Sequence, residues 1–223
     1  MLAALALAAC GLPRDPDGTL DRVRGGTLRA GLIEHPPWAS GEAGEPTGVE
    51  VELLEALAEG LDAEVRWTTG TESELIESLE LGELDAVVGG LTVDSPWVSK
   101  AAFTAPYLKT RTVVGVPTGE STAIDLEGLE VAVERGSPTA GLLREAGAIP
   151  LEVDDLTSAR APAAVDEWLL DDLDLQASDV ILQEREHVLA LPLGENAWLV
   201  EVEEFLHANG PRAAELLEEA GPA

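Results

Sequence analysis

The sequence predicts an α/β fold, and three observations lead to this class. Strand-like and helix-like segments alternate with short loops between them. Apolar residues make up 45% of the 223 residues, which is enough for a packed core and unlike an intrinsically disordered chain. A strongly apolar strand pattern also runs directly into the glycine pair Gly89 and Gly90. Alternation of this kind places parallel strands in one sheet with helices on its faces.

The first half of the chain follows a β-α-β-α-β pattern. Alternating or continuous apolar runs predict strands, and apolar residues at intervals of three and four predict helices. Two prolines after the first strand forbid its continuation, and glycines follow both helices at positions that end them. The predicted elements are a strand over Thr27–Ile33, a helix over Val49–Glu59, a strand over Ala63–Trp67, a helix over Glu72–Leu81 and a strand over Leu84–Gly90.

From Thr112 the pattern begins again with shorter elements. A helix that starts near Gly136 and runs to about Glu145 carries a proline near its first turn, where proline is tolerated. The closing part of the chain predicts two helices. The remaining predictions are strands over 113–116, 129–133, 149–153, 162–165, 180–182 and 187–191, and helices over 166–172, 195–207 and 211–220.

The charge of the chain excludes several classes of partner. Asp and Glu outnumber Lys and Arg by 43 to 13, which gives a net charge of −30. A field of this sign repels nucleic acid and anionic membrane surfaces. The acidity fits either a solvated surface suited to saline surroundings or a cationic ligand. The chain shows no His or Cys spacing typical of a metal site and no phosphate-binding loop, so we expect no metal and no cofactor.

The N-terminus predicts export and a lipid anchor. Met1–Cys10 is apolar but far below the ~20 residues that span a bilayer. Its length and small residues suit the end of a secretory signal. Leu7–Cys10 resembles the signal box of bacterial lipoproteins, in which the cysteine is lipidated and tethers the protein to the membrane. Cys10 is the only cysteine, so an intramolecular disulfide is excluded. Residues 11–26 are rich in Gly, Pro, Asp and Arg and predict a flexible tether.

The order of the motifs resembles the family 3 extracellular solute-binding proteins, which serve ABC importers of amino acids and similar solutes. The resemblance covers about residues 25–210. It implies a type II periplasmic-binding-protein fold, with two lobes joined by two crossing strands and a ligand cleft between them. Lobe one would hold 27–112 plus 189–223, and lobe two 113–188. The segments that carry the resemblance are Thr27–Gly31, Pro36–Trp38, Gly48–Leu53, Gly82–Thr92, Phe103–Tyr107, Asp125–Gly128 and Arg135–Ser137.

The resemblance also implies a set of ligand-binding residues. Trp38 would cover the ligand with its indole, or else pack in the core. Gly90 and Thr92 match positions that bind the amino and carboxylate groups of the ligand. The segment containing Gly136, Ser137 and Thr139 would bring a helix N-terminus to the cleft, although Ser137 also suits a simple helix cap.

Two departures from the family pattern bear on the ligand. Amino-acid binders of this family carry an arginine five residues after the threonine, and here that position is Trp97. Either Lys100 or Arg111 replaces the arginine, or the ligand is not a typical α-amino acid. Lobe two also has a shortened connection over 155–162. The family's aspartate for the amino group then falls near Asp166, which could equally cap the following helix.

The predicted function is capture of a small polar, amino-acid-like solute in the interlobe cleft, for an ABC importer. We expect a lipid-anchored monomer on the periplasmic or extracellular face of the membrane, with permease subunits as candidate partners. A sensory or orphan binding module is the alternative. A dehydratase-like enzyme is a weaker one, because only His35 beside Glu34 offers a proton-transfer pair near the cleft. We therefore expect no catalytic residues.

Overall fold

The computed structural model describes residues 14–41, 45–158 and 162–221, and the chain divides into two compact units. The first comprises Met1–Ala105 and Leu189–Asn209, and the second Pro106–Val188 and Gly210–Ala223. Each unit contains one five-stranded sheet with helices, which confirms the predicted α/β class. No helix within the described ranges is long and apolar enough to cross a membrane. The predicted signal peptide, residues 1–10, lies outside the described residues.

The secondary structure consists of five α-helices and ten strands in the described ranges. The helices are α1 (Thr19–Val23), α2 (Val49–Gly60), α3 (Glu72–Glu80), α4 (Thr139–Glu145) and α5 (Asn196–Ala220). The strands are β1 (Thr27–Leu32), β2 (Glu64–Thr69), β3 (Ala86–Val88), β4 (Ala102–Phe103), β5 (Leu108–Pro117), β6 (Glu130–Glu134), β7 (Ile149–Val153), β8 (Ala163–Asp166), β9 (Leu175–His187) and β10 (Ala190–Leu191).

The sheet of the first unit has the strand order β2-β1-β3-β10-β4. Strand β1 pairs in parallel with β2 and β3, as the β-α-β-α-β pattern predicts, while β10 pairs antiparallel with β3 and β4. The buried faces of α2 and α3 carry the apolar residues of the predicted helical period, such as Leu54 and Ile76. The carboxyl ends of β1, β2 and β3 therefore lie at one edge of the sheet.

The sheet of the second unit has the order β7-β6-β8-β5-β9. Strand β6 pairs in parallel with β7 and β8, and the long β5 pairs antiparallel with β8 and β9. Pairing of Leu108–Thr112 with Gln183–His187 groups these residues with the second unit, whereas the predicted division assigns 106–112 to lobe one. Two apolar clusters, one containing Leu143 and the other Val165, form the core of this unit.

The predicted flexible tether over 11–26 is wrong for the part that the structure describes. Helix α1 buries Leu20 and Val23, and two acidic residues bind this segment to the start of α5. Asp15 Oδ1 accepts hydrogen bonds from the backbone N–H groups of Ala197 and Trp198, at 2.9 and 3.0 Å. Glu195, only 2% exposed, accepts from the backbone N–H groups of Asp17 and Thr19. Composition indicated a linker because it carries no information about hydrogen bonds to residues far away in the chain, such as those that hold this segment.

Several predicted elements in the later part of the chain differ from the structure. The helix predicted over 166–172 is only a 3-10 turn over Glu167–Leu169, and the strand predicted over 180–182 is the middle of the longer β9. The strand predicted over 187–191 is divided between the end of β9 and the short β10. The two predicted closing helices are one helix, α5, with Pro211 inside it. Strand β4 is too short for a periodic signal to reveal it.

A buried ion cluster around Asp85 ties β1, α1 and β3 together. The Asp85 carboxylate is fully buried and accepts hydrogen bonds from the guanidinium groups of Arg22 and Arg29 and from the Arg29 backbone N–H, at 2.7–3.1 Å. Its backbone carbonyl accepts from the indole Nε1–H of the buried Trp198 at 2.8 Å. Burial by itself raises the pKa of Asp85, but the hydrogen bonds from Arg29 and Arg22 outweigh it and lower the pKa below its ordinary value of 3.8.

Replacing this carboxylate is expected to destabilise the first unit. Asp85→Asn removes a charge from between two arginines, each partly exposed, and should lower the free energy of unfolding by about 2–3 kcal/mol at pH 7. Because the pKa of Asp85 is lower folded than unfolded, its contribution is present above the unfolded value and disappears as pH falls below about 4. Urea unfolding at pH 7, 4 and 3 measures the difference between wild type and variant. Glu83→Gln, an exposed neighbour, is the control, and an undiminished difference at pH 3 contradicts the assignment.

Candidate functional site

A cavity of about 420 Å³ lies at the carboxyl edge of the first sheet, entirely within the first unit. Ligand sites in open α/β sheets lie beyond the carboxyl ends of the strands. The wall is built from the segment after β1, the first residue of α3 and the segment after β3. Its lining residues are Ile33, Glu34, His35, Glu72, Gly89, Gly90, Leu91, Thr92, Asp94, Ser95 and Pro96.

The floor of this cavity is held by a buried carboxylate from the first turn of α2. Glu50 is fully buried, and its Oε2 accepts hydrogen bonds from the backbone N–H groups of Gly89 and Gly90 at 2.6 and 2.9 Å. Charge-assisted bonds of this length offset the cost of burying the carboxylate. The N–H of Gly90, predicted to bind the ligand, is therefore already bound within the protein.

Gly89 and Gly90 together form what we call the glycine corner, and Trp38 lies directly behind it. The residue is 3% exposed, and a Cβ added at Gly90 would come within 2.5 Å of Trp38 Cδ1 and 2.8 Å of His35 Nδ1. Gly90 also has a φ of 71°, in the left-handed region where glycine carries no steric cost. The corner thus requires glycine twice, for its backbone angle and for the close approach of the indole. The role of Trp38 as a cover for the ligand stays a prediction.

Acidic side chains form much of the cavity wall. Glu72 accepts a hydrogen bond from the indole Nε1–H of Trp97 at 2.5 Å, so the residue in the arginine position supports a carboxylate. Glu34 accepts from the backbone N–H of Gly41 at 2.9 Å. Hydrogen bonds from the Ser40 hydroxyl and from Gly41 lower the pKa of Glu34 and favour its ionised form. Together with Asp94, these carboxylates give the wall a negative charge.

Two further groups in the wall can accept hydrogen bonds. His35 Nδ1 lies 2.9 Å from the Gly89 carbonyl oxygen, and since a carbonyl can only accept, Nδ1 carries the proton. A neutral ring then offers Nε2 as an acceptor. The Ser95 hydroxyl is shielded from solvent and has no hydrogen-bond partner among the described residues. A hydroxyl of this kind is a natural partner for a polar ligand.

The structure brings only some of the predicted residues to this cavity. Gly90 and Thr92 line it, and Trp97 reaches it through Glu72, whereas Lys100 pairs with Glu80 at 3.1 Å. The other predicted residues belong to the second unit. Ser137 Oγ accepts from the backbone N–H of Thr139, the first residue of α4, and Gly136 has a φ of 78°. Asp166 ends β8, and instead of capping the next turn it accepts from the Thr112 hydroxyl at 2.7 Å.

Glu50, Glu72 and Asp94 were not predicted as parts of the site. A signal for Glu50 is present in the sequence, because it lies three, four and seven residues before Leu53, Leu54 and Leu57, on the apolar face of α2. A carboxylate on an apolar face indicates a buried acceptor. The other two residues carry no such signal, since acidic residues are common throughout this chain.

A larger cavity, of about 660 Å³, lies between α2 and the start of β2. Its lining includes Glu64 and Val65, at the amino end of β2, and Trp67. This is the opposite edge of the sheet from the glycine corner, and ligands of open α/β sheets bind at the carboxyl edge. We therefore take the smaller cavity as the candidate site. The described residues contain no cluster of three or more His, Cys, Asp or Glu arranged to hold a metal ion.

The chain belongs to the bacterial extracellular solute-binding proteins, family 3, which it matches over residues 28–210. It is 30% identical over 105 residues to ABC transporter arginine-binding protein 1 of Escherichia coli, covering 46% of this chain and 43% of that one. It is 32% identical over 135 residues to the probable amino-acid-binding protein YxeM of Bacillus subtilis, covering 59% of this chain and 50% of that one. The chain thus spans about half the length of the curated relatives it matches.

Solved structures share the fold at lower identity. An ancestral cationic amino acid solute-binding protein superposes with a TM-score of 0.69 at 22% identity, covering 90% of this chain and 98% of that one. An ancestral cyclohexadienyl dehydratase superposes with a TM-score of 0.68, also at 22% identity, covering 94% and 97%. Because one of these structures is named as a binder and the other as an enzyme, the fold alone does not separate the two activities.

Substitution at the glycine corner is expected to cost more than its backbone angle alone. Gly90→Ala should lower the free energy of unfolding by about 2 kcal/mol more than Gly82→Ala, because the new methyl group overlaps the buried indole. Gly82 is the matched control, since its φ is also 71° and nothing lies within 4 Å of an added Cβ. Urea unfolding followed by tryptophan fluorescence measures both variants. Equal losses of stability in the two variants contradict the packing described for Trp38.

Proposed function

We propose that this chain captures a small polar, amino-acid-like solute outside the cytoplasm and delivers it to an ABC importer. The observation that carries the proposal is a cavity at the carboxyl edge of the first sheet, in a chain that belongs to the family 3 solute-binding proteins. The curated relatives, named as arginine-binding and amino-acid-binding proteins, support a solute of amino-acid size and polarity. A volume of about 420 Å³ also lies in the range of small-molecule sites.

The ligand-binding residues predicted in the second unit stay part of this proposal. Gly136, Ser137 and Thr139 follow the carboxyl end of β6, and Asp166 ends the parallel strand β8. The carboxyl edge of this sheet is thus the part of the second unit that corresponds to the glycine corner of the first.

We propose binding without turnover. The curated relatives that this chain matches are named as arginine-binding and amino-acid-binding proteins, which supports a binder. His35 Nε2 and Glu34 are the groups of the cavity wall through which a proton could pass to a substrate. The likeness to the ancestral dehydratase concerns the fold alone. Conversion of a cyclohexadienyl acid by the purified protein would assign the chain to the enzymes instead.

Ligand binding should be visible as thermal stabilisation. A solute present at 100 times its dissociation constant adds about 2.7 kcal/mol to the stability of the folded protein. For a chain of this size that corresponds to a rise in Tm of about 5–10 °C. Thermal shift over amino acids, amines, small acids and osmolytes, followed by titration calorimetry, tests this. Absence of any shift with millimolar solutes contradicts the proposed function, whereas a shift without binding to purified permease subunits favours a sensory or orphan module.

We also propose that Cys10 carries a lipid that anchors the protein to the outer face of the cell membrane. Cys10 lies outside the described residues, so the support is the sequence motif alone. Cys10→Ser should move the protein from the detergent phase to the aqueous phase of a Triton X-114 partition and abolish metabolic labelling with palmitate. The variant should keep the ligand-induced rise in Tm. Continued labelling of the variant contradicts the anchor.

A further inference from the structure

We propose that the solute bound in the first-unit cavity is an organic cation without a carboxylate group, such as an aliphatic diamine or a guanidino amine. This inference rests on the proposed function and specifies its ligand class. It departs from the amino acids named for the curated relatives, and it is based on which hydrogen-bonding groups of the cavity are already engaged within the protein.

Three donors at the cavity, two of the backbone and one of an indole, are occupied by carboxylates of the chain itself. Glu50 takes the N–H groups of Gly89 and Gly90, and Glu72 takes the indole N–H of Trp97. Each of these donors is bound at 2.9 Å or less by a carboxylate oxygen. A ligand carboxylate could reach these three donors only by displacing a carboxylate that the fold holds in place.

The basic side chains that could replace the family's arginine are engaged as well. Lys100 pairs with Glu80 at 3.1 Å, and Arg111 pairs with Glu184 at 3.0 Å. Neither residue lines the cavity, and no other lysine or arginine does so among the residues that the structure describes. A carboxylate in this cavity would therefore gain no opposite charge from its wall.

The same wall offers several acceptors to a cation. Glu34, Glu72 and Asp94 contribute carboxylates, and the pKa of Glu34 is lowered by its hydrogen bonds, so that this group stays ionised near neutral pH. The solvent-shielded Ser95 hydroxyl, which has no partner in the described part of the chain, can accept from a cation and can also donate. An ammonium group carries three N–H donors and a guanidinium five, with no acceptor in either, which complements a wall of this kind.

Matched pairs of ligands that differ only in the carboxylate test the inference. Titration calorimetry with agmatine and arginine, cadaverine and lysine, and putrescine and ornithine compares each amine with its amino acid. We expect at least one amine to bind about tenfold or more tightly than its partner, since repulsion between like charges across a binding site reduces affinity strongly. Tighter or equal binding of the amino acid in every pair overturns the inference and leaves the solute-binding function intact. Binding of an uncharged or acidic solute alone also overturns the inference but not the solute-binding function. If no solute binds, the inference and the proposed function are both overturned.

Two variants locate the effect in the cavity wall. Glu72→Gln and Asp94→Asn should each weaken amine binding about tenfold and bring the affinities within the matched pair closer together, because each removes one negative charge from the wall. Asp94 is exposed, so its substitution leaves the packing of the unit intact even if Glu72→Gln disturbs the contact with Trp97. Glu77→Gln, an exposed residue of α3 outside the cavity, is the charge-matched control and should leave the affinities unchanged. An amine-to-amino-acid ratio that is the same in wild type, Glu72→Gln and Asp94→Asn overturns the inference.

Discussion

The buried carboxylate of Glu50 determines the character of the candidate site. Helix α2 begins at the residue before it, so the first turn of the helix brings its side chain under the end of β3. There it takes the backbone N–H groups of Gly89 and Gly90, which satisfies the buried carboxylate and holds the glycine corner in position. The same contact removes two donors from the cavity. Glu50 occupies two backbone donors beneath the cavity, and other carboxylates line its wall. The groups that remain for a ligand are therefore mainly hydrogen-bond acceptors.

Acidic residues have a structural as well as an electrostatic role in the first unit. Asp15 and Glu195 bind the N-terminal segment to α5, while Asp85 joins two arginines to the centre of the sheet. Each of these carboxylates accepts several hydrogen bonds, which makes burial of its charge tolerable. A net charge of −30 therefore reflects more than a solvated surface, although most of the acidic residues do face solvent. The excess of acidic residues reaches both the core and the candidate ligand site.

Sequence patterns predicted elements that local periodicity specifies. Strand β1, helix α2, helix α3 and strand β3 agree with prediction to within a few residues, because each carries an apolar period matched by a turn or cap at its end. Elements stabilised by distant contacts were predicted poorly. Helix α1 depends on Glu195, and the helix predicted after Asp166 is a single turn beside the long β5–β9 pair. The proline and glycine near residue 210 suggested two helices where α5 continues.

The sequence by itself determined the α/β class, the parallel pairing of β1 with β2 and β3, the family resemblance and the position of the Gly90–Thr92 segment directly after β3. These features depend on residue type, spacing and order along the chain. Only the tertiary structure decided what each polar group near that corner binds. The hydrogen bonds of Glu50 with Gly90 and of Glu72 with Trp97, and the ion pair of Lys100 with Glu80, join residues 20 to 40 positions apart. Partner choice at such separations depends on how the elements pack, which local sequence does not encode.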